Sequence, residues 1–184
     1  MEHVAVGIAR GIEHLHSKDI ILRDLKPTNV GFDENSTVKL FDFGMARKVY
    51  ECDPSEICGS PRYMAPEIMR GKGYSLKVDV YSFGVMLYEL CSLRCPFESN
   101  FAGGAHKKQH TEADAMLLEF YKTIVKHGLR PSDDRQQFKT DIPCPELRAL
   151  IEECWSVDPA DRPQFSEIRS EEHTSELQSR QYLV

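Results

Sequence analysis

Residues 76–92, LKVDVYSFGVMLYELCS, place apolar side chains on nearly every side of a helical projection. Such a helix has no face suited to water, so it must be the post around which other elements pack. Ser75 offers it an N-cap. Its most apolar run, 78–91, is interrupted by Asp79 and Glu89, and is too short and too charged to span a bilayer. The remaining elements follow from period. Val4, Ile8, Ile12 and Leu15, with Ala5 and Ala9 between them, form one stripe of a helix over residues 3–16. Residues 30–33 and 37–41 read as short strands, and Asp33, Glu34, Asn35 and Ser36 supply the turn of a hairpin. An irregular stretch runs from 42 to about 64, and Ala65-Pro66-Glu67 opens a helix. A polar loop covers 96–111, and Thr111 with Asp114 forms a capping box. The next helix carries Leu117, Tyr121, Ile124 and Val125 and stops at Gly128. Helical stretches over 144–156 and from Pro163 onward complete a mainly α chain of one domain.

Charge and cysteine usage narrow the setting. The 184 residues carry 23 basic and 29 acidic side chains, a net charge of −6. No basic block stands out, so no nucleic-acid partner is expected. Cys52, Cys58, Cys91, Cys95, Cys144 and Cys154 form no C-x-x-C pair, and reduced thiols are expected. Met1 is followed by Glu2 and His3, not by a basic stretch and an apolar run, which gives a cytoplasmic expectation. His106 and His110 lie four apart in a polar stretch with Gly103 and Gly104, and read as exposed loop, not as metal ligands.

Three short motifs concentrate the chemistry: RDLKPTN at 23–29, DFG at 42–44 and APE at 65–67. One tripeptide arises by chance roughly once in 8,000 positions at ~5% usage per letter. Three in order, at loop and strand ends, are specific. The set resembles the protein kinase superfamily. The resemblance runs from about residue 3 to 168, through DVYSFG at 79–84 and CWSVDPADRP at 154–163. It implies a protein-kinase-like C-terminal lobe over residues 1–168, helical, with a small β-hairpin beside the catalytic loop. It also implies ATP and Mg2+ as cofactors and proteins as substrates, and leaves the oligomeric state open. Lys26 and SPRYMAPE at 60–67 resemble serine/threonine kinases, and the CW…DP…RP ending is similar to the tyrosine-kinase-like group of them.

Carried over position by position, the resemblance makes Asp24 the catalytic base that orients and deprotonates the attacking hydroxyl. Lys26 becomes the point charge on the moving phosphoryl group, so it is both catalytic and ATP-contacting. Asn29 and Asp42 become the oxygen ligands of Mg2+. Arg23 implies control by a phosphate on the segment 42–67. Tyr50, Ser55 and Ser60 are the acceptors to weigh, and Ser55 is preferred. Ser60 resembles instead the hydroxyl that bonds the catalytic Asp and Lys. Glu67 and Arg162 resemble the family's buried ion pair, and Asp79 the residue that holds the catalytic-loop backbone from the central helix. Trp155 is expected to be a core anchor.

Several departures from the family pattern set further expectations. Leu22 stands where relatives place a His, and is expected to pack on Phe43. Gly31 stands where relatives place a Leu beneath the adenine, with Phe32 as a substitute. The sequence contains no G-x-G-x-x-G followed by a V-A-I-K-like lysine, so the N-lobe is read as absent and the fragment as inactive alone. RSEEHTSELQS at 169–179 back-translates to a run that resembles a common sequencing adapter. Residues 169–184 are therefore expected to be a non-native, disordered tail. The rival reading is a pseudokinase scaffold, kept open by Leu22 and Gly31.

Overall fold

A computed structural model of the chain describes residues 2–98 and 117–169. The capping box at Thr111 and Asp114, His106 and His110, and the tail from 170 onward lie outside the described residues. Helix α1 spans Glu2–His16 and buries Ala5, Ile8, Ala9 and Ile12. A second face of it is shaved flat by Gly7 and Gly11. A Cβ at Gly7 would stand 2.7 Å from the Val38 side chain, and one at Gly11 would stand 2.9 Å from Leu40. That close approach seats the hairpin of β2 (Val30–Phe32) and β3 (Val38–Leu40) on α1. The hairpin is antiparallel, with Val30 opposite Leu40 and Phe32 opposite Val38. Its turn is tied by Asp33, whose carboxylate accepts the amides of Asn35 at 2.9 Å and Thr37 at 2.8 Å.

A second ladder was not foreseen. β1 (Ile20–Ile21) pairs antiparallel with β4 (Arg47–Lys48), inside the stretch read as irregular. Two residues per strand carry too little alternation to register as a pattern.

Helix α2 is a single turn, Pro66–Met69, and α3 runs Lys77–Ser92. As the sequence requires, α3 is buried nearly all round, from Val78 to Tyr88. It packs against α1, α4 (Arg135–Asp141), α5 (Pro145–Cys154) and the 3-10 turn Pro159–Asp161. Leu76 occupies its N-cap position, and the Ser75 hydroxyl accepts the Lys77 amide at 3.3 Å. The helix ends on Leu93 in the left-handed conformation at φ 56. Residues 117–120 are α-helical and continue as a π-helical stretch, Tyr121–Lys126, ahead of Gly128 at φ 69.

Helix α4 escaped the sequence reading because Phe138 is its one buried residue, so it has no stripe. Its start is set by Asp134, which accepts the Gln137 amide at 2.9 Å. Trp155 is buried beside the rings of Tyr88 and Phe138. The last element among the described residues, α6 (Phe165–Ile168), carries a capping box between Gln164 and Glu167 and returns to α1. Arg169 closes it and pairs with Glu13. No helix among the described residues is long and apolar enough to cross a membrane.

Candidate functional site

The site is assembled on the loop between β1 and β2. Asp79, in the first turn of α3, is fully buried beneath that loop. One carboxylate oxygen accepts the Arg23 amide at 2.9 Å, the other the Leu22 amide at 2.8 Å. His16, at the end of α1, meets the second oxygen through Nε2 at 2.9 Å, and its ring lies edge-on to Phe165. The carboxylate thus engages three partners, and Arg23 is held at φ 68, a strained value for a side-chain-bearing residue.

One residue on, Asp24 is buried, with bonds to both of its carboxylate oxygens. Its Oδ2 takes the Lys26 Nζ at 2.6 Å, and its Oδ1 takes the Ser60 amide at 2.8 Å. Lys26 also donates to the Ser60 hydroxyl at 3.0 Å. Ser60 can reach in because Gly59, at φ 105, brings its own backbone against the Arg23 carbonyl; a Cβ there would lie 2.5 Å from that oxygen. Burial pushes the Asp24 carboxyl up, but the Lys26 ammonium and Ser60 outweigh it. They hold the group below the usual carboxylate range, ionised at neutral pH.

Asn29 closes the loop. Its Nδ2 donates to the Asp24 carbonyl at 2.9 Å and to Asp24 Oδ2 at 3.3 Å, which leaves its Oδ1 to face a ligand. The Phe41 amide donates to the Asn29 carbonyl at 2.8 Å, extending the β2–β3 ladder by one pair. Asp42 thus stands one residue beyond Asn29's partner at the same end of the hairpin. It is exposed, holds φ 57, and spends one oxygen on the Gly44 amide at 3.3 Å. A carboxylate and an amide oxygen at adjoining strand ends make a donor set that suits a hard cation.

The structure gathers Asp24, Lys26, Asn29 and Ser60 into one hydrogen-bonded cluster, with Asp42 beside it. Arg23 turns the other way. Its Nε donates to the Met45 carbonyl at 2.6 Å and its Nη1 to Glu56 at 2.5 Å. Ser55 is exposed, and its hydroxyl donates to Asp53 at 2.7 Å. Tyr50 is exposed in a 3-10 turn. Glu67 and Arg162 are joined by two bonds, at 2.6 and 2.9 Å, buried in the core. Arg162 lies 5.2 Å over the Tyr81 ring and also donates to the carbonyls of Lys77 and Ser156.

Three participants were missed from the sequence: His16, Phe41 and Glu56. A signal existed for Phe41 alone. A glycine inside a strand marks a close approach, and a Cβ at Gly31 would stand 2.6 Å from the Phe41 ring. The ring that fills the space above Gly31 is therefore Phe41, on the hairpin face that Asn29 shares, not Phe32. Leu22 is buried while the Phe43 ring stays about half exposed.

A family model described as the protein kinase domain matches residues 1–174. Serine/threonine-protein kinase STY46 of Arabidopsis thaliana is 37% identical over 166 residues, which cover 90% of this chain and 25% of the relative. Serine/threonine/tyrosine-protein kinase HT1 of the same plant is 34% identical over 167 residues, 90% of this chain and 37% of the relative. Dual specificity protein kinase pyk3 of Dictyostelium discoideum is 36% identical over 168 residues, 91% of this chain and 11% of the relative. The chain thus spans between 11% and 37% of the length of these three relatives.

Proposed function

Because this chain belongs to the protein kinase family, we propose that it forms the C-terminal lobe of a serine/threonine kinase, which passes the γ-phosphate of ATP to protein hydroxyls. The observation that carries this reading is the bonded cluster of Asp24, Lys26, Asn29 and Ser60. Asp24 is kept ionised by its neighbours, so it can accept a proton at neutral pH from a hydroxyl brought to it. The hydroxyl oxygen forms the new bond to the γ-phosphorus, the bond from phosphorus to the β–γ bridging oxygen breaks, ADP departs, and the hydroxyl proton passes to Asp24. Lys26 sits within bonding distance of Asp24 and supplies positive charge where the phosphoryl oxygens would pass.

Asn29 Oδ1 and the Asp42 carboxylate would hold Mg2+, which when bound neutralises phosphate oxygens. Both oxygens are left available by the bonds their residues make. Phe41, against Gly31, would give the adenine a flat apolar floor where relatives use an aliphatic side chain. Preference for Ser/Thr is supported by the similarity to serine/threonine-protein kinase STY46 and by Lys26 in the loop; HT1 and pyk3 carry wider names.

The test is Asp24→Asn in the kinase completed by an ATP-gripping N-terminal lobe. Loss of the base should cut phosphotransfer to a Ser/Thr peptide by about 100- to 10,000-fold, with Mg-ATP binding retained. Equal transfer by wild type and variant would overturn the assignment. Wild-type binding of Mg-ATP without any transfer would favour the scaffold reading instead.

A further inference from the structure

Resting on the kinase reading above, a second cluster beside Asp24 shows how the segment between Asp42 and Glu67 is held. The Arg23 side chain is 1% exposed, and two parts of that segment meet on it. Met45, three residues after Asp42, offers its carbonyl to Nε at 2.6 Å. Glu56, four residues before Ser60, offers its carboxylate to Nη1 at 2.5 Å. The Tyr74 ring lies 5.2 Å from the guanidinium carbon. The Tyr74 hydroxyl donates to the Glu56 carbonyl at 2.7 Å and touches the Cys58 thiol at 3.3 Å. Residue 56 is thus gripped twice, by its side chain and by its backbone. Four residues on, the Ser60 amide reaches Asp24.

The Arg23 guanidinium is a charge that needs an anion, and the polypeptide already provides one. Ser55, adjacent to Glu56, points its hydroxyl at Asp53 and not at Arg23. A phosphate there would add about −1.5 to −2 charge between two carboxylates. It would compete with Glu56 for a guanidinium already engaged. Such a site is poorly built to receive the phosphate that Arg23 alone would suggest.

We infer that Glu56 is a positioning residue of this kinase: its carboxylate, bound to Arg23, orders the segment that delivers Ser60 to Asp24, with no phosphate on the segment. The geometry makes activity independent of Ser55 modification. It also makes the negative charge, not merely the polarity, of residue 56 the requirement.

Two measurements test this. Hydrogen exchange on the 184-residue chain reads order directly. Glu56→Gln should lose amide protection over 45–60 while α3 keeps its own, and Glu56→Asp should restore part of it. In the kinase completed by its N-terminal lobe and treated with phosphatase, wild type and Ser55→Ala should keep full kcat. Glu56→Gln should lose about tenfold or more in kcat, the worth of one charged hydrogen bond, with little change in KM for ATP. Unchanged protection in Glu56→Gln would overturn the inference, and so would a phosphatase-treated wild type as slow as that variant. Failure of the kinase reading itself would show separately, as transfer insensitive to Asp24→Asn, and would leave the exchange result standing.

Discussion

Arg23 and Asp42 both hold left-handed backbone conformations, at φ 68 and φ 57, and both flank the proposed chemistry. Conformations of that kind persist only where the surroundings over-determine them. For Arg23 the surroundings are legible: Asp79 takes its amide and that of Leu22 on separate oxygens, with His16 on the second. Asp79→Asn keeps the shape but offers one acceptor oxygen in place of two, so a buried donor must face an NH2 group. The expected cost is about 1–3 kcal/mol in urea unfolding, together with slower phosphotransfer as the loop relaxes. An unchanged unfolding midpoint would remove Asp79 from this role. The residues of this loop could be named from the sequence through the resemblance of RDLKPTN and DFG to the kinase family. Glu56 could not: it is one acid among several in an irregular stretch, and only the folded path of the segment brings it to Arg23.

Among the elements, the pairing of α2 with the turn before α6 shows how a short helix is kept in place. A single turn such as Pro66–Met69 cannot be stable by itself. Glu67 anchors it through both oxygens to Arg162, which is 1% exposed and also bonds the carbonyls of Lys77 and Ser156. Glu67→Gln leaves a buried guanidinium short of its counter-charge, and should destabilise the chain by about 3–5 kcal/mol. Removing the cation as well, in Glu67→Gln with Arg162→Met, should cost less than the sum of the two single changes, because no unpaired charge remains. Additive losses would mean that the pair contributes as separate hydrogen bonds only. Helices α1, α3 and α5 were legible because each buries a stripe or more of apolar residues. Helix α4 and the β1–β4 ladder were not, since one buried phenylalanine and two-residue strands leave no period to read.

At the scale of the molecule, the described residues wrap α3 with apolar contacts yet leave a group of large apolar side chains uncovered at the hairpin and the turn after it. Phe41 is 50% exposed, Phe43 49% and Met45 42%. The sequence announced a buried central helix, and composition alone could not say which aromatics would remain outside; the register of the hairpin decides that. Phe41 shares its hairpin face with Asn29, opposite the side that Val38 and Leu40 present to α1. Apolar surface of this kind calls for a cover, and without one it drives association. The 184-residue chain should therefore bind an apolar dye and sediment with concentration-dependent size. Phe43→Ser with Met45→Gln should lower both effects, because those side chains contribute exposed area while the Met45 carbonyl that serves Arg23 belongs to the backbone and stays. Phe41 is left intact in that variant because its ring fills the space over Gly31. If the wild-type chain runs as a monomer with no dye signal, the exposed rings are satisfied within the chain itself, and the hairpin end needs no second lobe to shield it.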